Sequence, residues 1–568
     1  MRHKKWLHSM LIVAMVGVVV ISGCSSSKDS KKTVEGTTSP SSTSSSTPKV
    51  ADDPFGKYNP PIEVTTVRNV NASFKYENDE TIDKNVWTTI FENELGIKLK
   101  NVWSVDGAQF AQKQNVTIAS GDLPDFMQVD KVTLFRLIEA GSIEDLTKAY
   151  DRFASPFTKN VLQKDGGAAL KSVTIDGKLM AIPQTDPNGG VSQGNLLWVR
   201  TDWLKTLNLP EPKTIDDVIN IADAFLNKDP DGNGKKDTGG LGVNNLLFQD
   251  PGTLAGFFNG FHAYPASPHI WIKNDAGKLV FGPVQPQMKT ALQKLQEMYA
   301  KGIIDKEFGT KPWQKVAEDV GAGKIGILYG NIADPAFVQK NNRTNNPKAE
   351  WKPFPIVSSD GRPALVVAGP TAFNYYVVKK GSAHPEAPVK LLNVFLKKFM
   401  DTDYAGAKNP FAINPETGIN KSLYAPVQVS PVDLNITAHL QVLDSLKSGD
   451  GSKLGFPANI HFKRITSFRN GDDTAWFGEK MMGPEGSFSI INQYMKQKSY
   501  VSNEFTGAPT PTMQEKEATF KKMIEEMVTK IIMGAAPISD FDKFVTDWKK
   551  LGGDQIEKEV NDWYSKKK

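Results

Sequence analysis

The chain has 568 residues, which is too long for one ordinary hydrophobic core and predicts two or three domains. Hydrophobic residues make up 39% of it, aromatic residues 10% and charged residues 23%, a composition that excludes wholesale disorder. The 68 Lys and Arg against 63 Asp and Glu give a formal charge of +5, and this near-neutral balance argues against nucleic-acid binding. The single cysteine, Cys24, excludes an intrachain disulfide and a cysteine-based zinc or iron–sulfur site.

The N-terminus has the pattern of a secretory signal peptide. A basic start at residues 2–5 precedes the uncharged residues 11–21, which are too few for a bilayer-spanning helix of roughly 20 residues. Residues 21–24, Ile-Ser-Gly-Cys, resemble a bacterial lipobox. The resemblance implies cleavage before Cys24 and attachment of lipid, such as palmitate, to that residue. The alternative is a plain buried cysteine beside a membrane stub.

The segment that follows is rich in Ser, Thr, Lys and Pro and has too few apolar residues to offset the entropy of ordering. We predict a signal peptide over residues 1–23 and a lipid-anchored flexible linker over residues 24–61. The globular body would then be held at the extracellular face of the cytoplasmic membrane.

Hydrophobic periodicity predicts alternating strands and helices in the first part of the body. Alternating β-branched residues mark strands, and apolar residues at helical spacing before a glycine mark helices. The predicted strands are 62–67, 97–99 and 125–129, and the predicted helices are 83–95 and 108–119. This order predicts a parallel sheet with helices on its faces.

The same rhythm recurs further along the chain, and the C-terminal part is helical. The predicted strands are 196–199, 324–329 and 373–378, and the predicted helices are 214–228, 288–301, 385–399, 513–533, 538–550 and 556–564. Together these elements predict an α/β fold of two lobes. Such lobes bind ligands at the carboxyl ends of strands and in the cleft between domains.

Short motifs within residues 62–564 resemble segments of bacterial extracellular solute-binding proteins. They are Ala-Ser-Gly-Asp-Leu-Pro-Asp at 119–125, Gly-Lys-Leu-Met-Ala-Ile-Pro at 177–183, Arg-Thr-Asp-Trp-Leu at 200–204, Thr-Gly-Ala-Pro-Thr-Pro-Thr-Met at 506–513 and Trp-Lys-Lys-Leu-Gly-Gly-Asp at 548–554. The last two are similar to sugar-binding lipoproteins of Gram-positive bacteria. The resemblance implies a periplasmic-binding-protein-like clamshell of type II, in which each lobe is a mainly parallel sheet flanked by helices, with extra C-terminal helices.

The resemblance also implies the division of the chain and its partners. The N-terminal lobe would comprise residues 62–187 and about 366–420, and the C-terminal lobe about 188–365 with parts of 421–568. The implied function is to deliver a carbohydrate or other small solute to the permease subunits of an ABC importer. The protein would act as a monomer that contacts the membrane through its lipid anchor only.

A loop of alternating oxygen-bearing residues has EF-hand-like spacing, with a glycine at loop position 6 and a backbone carbonyl available at position 7. Gly240 stands at position 12, where an EF-hand has a bidentate Glu, so we expect modest calcium affinity and a structural role. The alternative is an Asx-rich turn without metal. The candidate calcium ligands are Asp229, Asp231, Asn233, Lys235 through its carbonyl, and Asp237.

A sugar site needs planar aromatic side chains for the apolar sugar faces and polar side chains for the hydroxyl groups. Three tryptophans lie in loop-like sequence, with packing in the core as the alternative for each; they are Trp271, Trp313 and Trp476. Polar candidates follow predicted strands, with helix caps or surface ion pairs as the alternative. They are Gln128, Asp130, Gln184, Asp186, Arg200, Tyr329 and Asn331.

Three functions compete at this level. A binding protein needs only a hinge that ligand closes, and no nucleophile or cofactor. A secreted glycoside hydrolase needs two carboxylates across the scissile bond, which the sequence neither shows nor excludes, and the histidines form no HExxH or triad signature. A binder of peptides or another solute is the third. The resemblance favours carbohydrate binding without catalysis.

Overall fold

The computed structural model describes residues 53–70, 74–265, 270–400, 409–414 and 417–567. The predicted signal peptide, Cys24 and the predicted linker as far as residue 52 lie outside the described residues. Contacts with the body begin before Ile62, because Tyr58 is buried in the first hydrophobic core and its backbone N–H donates to the Leu95 carbonyl at 2.8 Å. Within the described ranges, every helix is too short or too polar to cross a bilayer.

Fifteen strands and twenty α-helices are described. The strands are β1 (Ile62–Asn69), β2 (Ile97–Val105), β3 (Phe126–Asp130), β4 (Thr174–Ile175), β5 (Lys178–Leu179), β6 (Ile182–Thr185), β7 (Leu196–Arg200), β8 (Gly239–Gly242), β9 (Trp271–Lys273), β10 (Leu279–Phe281), β11 (Ile325–Gly330), β12 (Trp351–Phe354), β13 (Val366–Val367), β14 (Ala372–Val378) and β15 (Tyr500–Val501). The first ten helices are α1 (Val86–Leu95), α2 (Gly107–Ser120), α3 (Lys131–Glu139), α4 (Thr147–Phe153), α5 (Pro156–Leu162), α6 (Ala168–Ser172), α7 (Thr201–Thr206), α8 (Ile215–Asn227), α9 (Ala255–Asn259) and α10 (Gln287–Ala300). The others are α11 (Trp313–Gly321), α12 (Lys340–Asn345), α13 (Ala387–Phe399), α14 (Leu434–Ser448), α15 (Ala458–Arg469), α16 (Trp476–Met482), α17 (Ser487–Gln497), α18 (Pro511–Ile532), α19 (Asp540–Trp548) and α20 (Asp554–Lys567).

Local side chains determine where helices begin and end. Helix α1 starts with a capping box, in which the Asn85 side chain accepts from the Thr88 N–H and Thr88 accepts from the Asn85 N–H. Thr214 and Asp217 make the same reciprocal arrangement at the start of α8. Gly96 ends α1 with φ at 65°, and a Cβ there would lie 2.5 Å from a backbone oxygen, so a side chain is excluded.

Two hydrophobic cores divide the body into two lobes. The N-terminal core takes its residues from 58–182 and 372–434, and the C-terminal core takes its residues from 196–366 and 436–560. Among the described residues, the first core contains one fully buried tryptophan, Trp87, and the second contains several. The predicted two-lobed α/β architecture is confirmed.

The strand directions differ from the prediction, because the sheets are mixed rather than mainly parallel. In the N-terminal lobe, β1 and β2 are parallel, whereas β14 lies between β3 and β6 and is antiparallel to both. The C-terminal sheet has the order β12-β7-β11-β8, with β11 parallel to β8 and antiparallel to β7. Strand β14 enters its sheet after the chain returns from the other lobe, and such long-range pairing leaves no local sequence pattern.

Candidate functional site

Three short segments connect the lobes and lie side by side. They are residues 186–195, 368–371 and 430–435. The backbone N–H of Asp186 donates to the Thr371 carbonyl at 3.1 Å, and the backbone N–H of Gly369 donates to the Gly190 carbonyl at 3.1 Å. The third segment joins them, because the Thr185 hydroxyl donates to the Ser430 carbonyl at 2.7 Å. Such a bundle of connections has the form of a hinge.

The hinge segments leave one edge of each main sheet, and these two edges define the candidate site. The N-lobe edge is formed by the ends of β3 and β6 and the start of β14, where Asp130 pairs with Asn374 and Thr185 with Ala372. The C-lobe edge is formed by the start of β7, which pairs with Gly330 at the end of β11, and by the end of β8 beside it. Because residues 186–195 run from one edge to the other, both edges lie next to the hinge.

Amide side chains cross the N-lobe edge in a row. Gln128 donates to the Gln184 side-chain oxygen at 2.7 Å, and Asn374 donates to the same oxygen at 3.1 Å. All three residues are half-buried. Asp130 is exposed and caps α3 through the Thr133 N–H at 2.7 Å, and Asp186 accepts from the Asn188 N–H at 2.6 Å. The four sequence candidates Gln128, Asp130, Gln184 and Asp186 thus lie together.

The C-lobe edge carries two carboxylates around Asn331. The Asn331 amide donates to Asp250 Oδ2 at 3.2 Å, which joins the end of β11 to the loop after β8. Asp334 is 2% exposed, and its Oδ2 lies against Gly330, where a Cβ would be 1.7 Å from that oxygen. Neither Asp250 Oδ1 nor Asp334 Oδ2 has a hydrogen-bond partner among the described residues.

Burial and mutual repulsion favour the protonated forms of this pair. Burial raises the pKa of Asp250 to about 6, against the opposing effect of the Asn331 hydrogen bond. Burial, followed by the negative charge of Asp250, raises the pKa of Asp334 well above its ordinary value. Because the two groups interact, they titrate as a pair and not as independent sites.

The raised pKa of Asp250 predicts that stability falls as the pH rises. Between the ordinary pKa near 3.8 and about 6, the folded protein holds protons that the unfolded chain has released, so the free energy of unfolding decreases with pH. Because Asp250 is partly exposed, we expect Asp250→Asn to increase the free energy of unfolding at pH 7.5 by only about 2 kcal/mol, with little change at pH 4. Thermal unfolding at both pH values measures this, with the exposed Asp275→Asn as control. An equal effect at both pH values would contradict it.

Aromatic side chains flank the two edges. Trp313 begins α11 and is 40% exposed. The Asn245 N–H donates to the Lys311 carbonyl at 2.8 Å, and this bond places the start of α11 beside the loop that follows β8. Phe337 is 80% exposed, on a π-helical turn (Pro335–Gln339) that follows β11 and contacts α11. Phe373, next to Asn374 on β14, is 44% exposed. Large exposed aromatic rings beside a hinge mark a binding surface.

Four sequence candidates are core residues in the structure, and packing replaces their predicted ligand contacts. Arg200 is 1% exposed at the far end of β7, paired with Asp202 at 2.6 Å. Trp271 packs on a phenylalanine ring 5.2 Å away and is 3% exposed. Tyr329 and Trp476 are 0% and 1% exposed in the same C-terminal core.

Several residues of the site were not among the sequence candidates. Phe373 and Asn374 begin a predicted strand, and an argument that takes polar residues following strands does not select them. Asp250 lies eight residues beyond β8, so its contact with Asn331 has no local signal. Phe337 follows β11 on a turn whose exposure the sequence does not show.

The candidate calcium loop is exposed and has its acidic side chains close together. Asn233 donates to Asp231 at 2.8 Å and to Asp237 at 3.2 Å, while the Gly234 N–H donates to Asp229 at 2.9 Å. Burial and the hydrogen bond with Asp229 raise the pKa of Asp231. Across the described ranges, no three His, Cys, Asp or Glu side chains are arranged as a metal site. The loop would therefore need its amide and carbonyl oxygens as well.

Comparison with known proteins gives a consistent result. The family model described as "Bacterial extracellular solute-binding protein" matches residues 71–402. The polygalacturonan/rhamnogalacturonan-binding protein YtcQ of Bacillus subtilis is 25% identical over 84% of this chain and 87% of its own length. Lipoprotein LipO of the same organism is 25% identical over 86% of this chain and 90% of its own. The S. pneumoniae substrate-binding protein FusA, solved with kestose, superposes with a TM-score of 0.63 at 18% identity, over 89% of this chain and 99% of FusA.

Proposed function

This chain belongs to the bacterial extracellular solute-binding protein family, and we propose that it captures an oligosaccharide between its two lobes for uptake by an ABC importer. The family binds solutes, and it does not transform them, so the expectation of a non-enzyme is confirmed. YtcQ is named for the polysaccharides it binds, and FusA was solved with the sugar kestose. Both similarities support the proposed ligand class.

The observation that carries the proposal is the composition of the two sheet edges beside the hinge. Amide and carboxylate side chains suit sugar hydroxyl groups, which both donate and accept hydrogen bonds. The exposed rings of Trp313, Phe337 and Phe373 suit the apolar faces of sugars. Since these rings lie on separate elements of both lobes, a ligand that touches all of them must have several sugar units.

A thermal-shift screen of oligosaccharides, followed by calorimetry, tests this proposal. A ligand that binds only the folded state raises the unfolding temperature, and we expect at least one oligosaccharide of two or more units to do so. Binding of oligopeptides with no carbohydrate response would favour the alternative solute. Release of reducing ends from a bound oligosaccharide would show a hydrolase.

Anchoring through lipid on Cys24 is part of the same proposal. The lipobox-like sequence supports it, and the similarity to LipO agrees with it. A lipid-bearing N-terminal residue on a linker would keep the captured sugar near the importer. Radiolabelled palmitate that is incorporated into the native chain but not into a Cys24→Ala variant would support the anchor; absence of label from both would refute it.

We also propose that the loop from Asp229 to Asp237 binds calcium with a structural role. Its crowded carboxylates and its position after α8 support a cation that would hold the loop against the C-terminal lobe. With calcium at ten times Kd, we expect about 1.4 kcal/mol of added stability. Calorimetry and thermal unfolding of EDTA-treated protein in millimolar calcium measure this. The same titration of an Asp231→Asn, Asp237→Asn variant is the control, and an absence of calcium binding by the native chain would refute the site.

A further inference from the structure

We propose that the site selects uncharged oligosaccharides and rejects those built of uronic acids, an inference that rests on the proposed function and narrows it. The similarity to YtcQ and FusA leaves both classes open, because one is named for acidic polysaccharides and the other was solved with a neutral sugar. The charges on the two edges decide between the classes.

Carboxylates are present on both edges. Asp130 and Asp186 lie at the ends of β3 and β6 in the N-terminal lobe, and Asp250 lies beside Asn331 in the C-terminal lobe. Asp334 adds a buried carboxyl group behind Asp250, and each of these two has an oxygen without a partner. The exposed or half-buried carboxylates of Asp130, Asp186 and Asp250 can accept hydrogen bonds from sugar hydroxyl groups, whereas they would repel a ligand carboxylate.

Cations that could neutralise a uronate are scarce at the edges. Six strand ends form the two edges. Among the residues within three sequence positions of these ends, Lys131 is the only Lys or Arg. Lys131 is half-buried, with its Nζ 6.0 Å from the centre of the Phe135 ring, and burial lowers its pKa. Recognition of a carboxylate normally uses the two-pronged guanidinium of arginine, and Arg200 faces away from the edge, bonded to Asp202.

The two lysines beside the start of α11 are already paired with carboxylates. Lys311, beside the start of α11, contacts both Asp305 and Asp319, and Lys315 contacts Glu318 at 3.0 Å. A uronate would have to displace these carboxylates to gain a cation. Asp130, Asp186 and Asp250 against Lys131 leave the net charge along the strand ends negative, which disfavours an anionic ligand and leaves recognition of neutral hydroxyl groups intact.

Two matched panels test the inference on the native chain at pH 7.5. One contains fructo-, xylo-, manno- and galacto-oligosaccharides of two to five units, and the other contains oligogalacturonates of the same lengths. We expect the tightest neutral ligand to have a Kd at least tenfold lower than that of any oligogalacturonate. A smaller preference, or the reverse, overturns the inference and leaves the proposed function standing. No binding in either panel overturns the proposed function itself.

A substitution separates charge from shape. Asp250→Asn keeps the size of the side chain and removes one negative charge. We therefore expect the ratio of the oligogalacturonate Kd to the neutral-oligosaccharide Kd to fall at least fivefold. Asp275→Asn makes the same charge change in the turn between β9 and β10, away from both edges, and should leave the preference unchanged. A preference that Asp250→Asn does not alter, or that Asp275→Asn alters equally, would contradict the role of the Asp250 charge.

Discussion

Alanine in place of Phe337 is expected to weaken oligosaccharide binding about tenfold without destabilising the fold. The ring is 80% exposed, so the C-terminal core loses little when it is removed. A sugar that stacks on it would gain about 1.5 kcal/mol from the covered apolar area and the aromatic contact, which corresponds to about tenfold in Kd.

Trp313→Ala should have a similar effect, and the double variant should bind about a hundredfold more weakly, because contributions from separate contacts add. Trp313 and Phe337 lie on different elements, α11 and the π-helical turn. Calorimetric titration with the tightest oligosaccharide found for the native chain measures all three variants.

Phe157→Ala is the matched control for this pair. Phe157 is 45% exposed on α5 of the N-terminal lobe, outside both edges, so its removal should change neither affinity nor stability. If the double variant bound within threefold of the native chain, the aromatic rings would not be part of the site. If Phe157→Ala weakened binding equally, the loss would be a general effect of removing exposed apolar surface.

The elements of this fold were largely predictable from sequence because their signals are local. The predicted strand 62–67 and helix 214–228 correspond to β1 and α8, where alternation or helical spacing coincides with the buried face. Strand order was not predictable in the same way. Strand β14 lies between β3 and β6 although it is almost 200 residues from β6, and its antiparallel direction follows from the path of the chain through the other lobe.

The candidate site was predictable only where position along a strand decided it. Gln128, Gln184 and Asn331 lie near the ends of strands or follow them, and the structure places them at the two sheet edges beside the hinge. Arg200 also ends a strand, yet it is buried, because β7 runs antiparallel to β11 and ends at the opposite side of the sheet. Strand direction, which the sequence did not show, separates the candidates that lie at these edges from the one that does not.

The second large effect is expected from Arg68→Met, which should lower the free energy of unfolding by about 3 kcal/mol. Arg68 is 8% exposed on β1, and its guanidinium donates to the carbonyls of Leu423, Tyr424 and Ala425 at 3.0, 2.8 and 3.2 Å. Hydrogen bonds from a charged donor contribute about 1.5–3 kcal/mol each, and a buried carbonyl left without a donor costs more. The Gln428 side chain also donates to the carbonyls of Leu423 and Ala425, so the Tyr424 carbonyl accounts for most of the lost stability.

Urea unfolding followed by circular dichroism measures this loss, and Arg362→Met is the control. Arg362 is 71% exposed and pairs with Asp360 at the surface, so its loss should cost less than about 0.5 kcal/mol. Arg68→Lys keeps the charge but loses the two-pronged donor geometry of the guanidinium. Its loss of unfolding free energy should therefore lie between those of Arg68→Met and Arg362→Met. Because residues 423–425 lead into the third hinge segment, Arg68→Met should also weaken ligand binding in proportion to the unfolded fraction. A stable Arg68→Met protein with native affinity would show that Gln428 alone holds the segment.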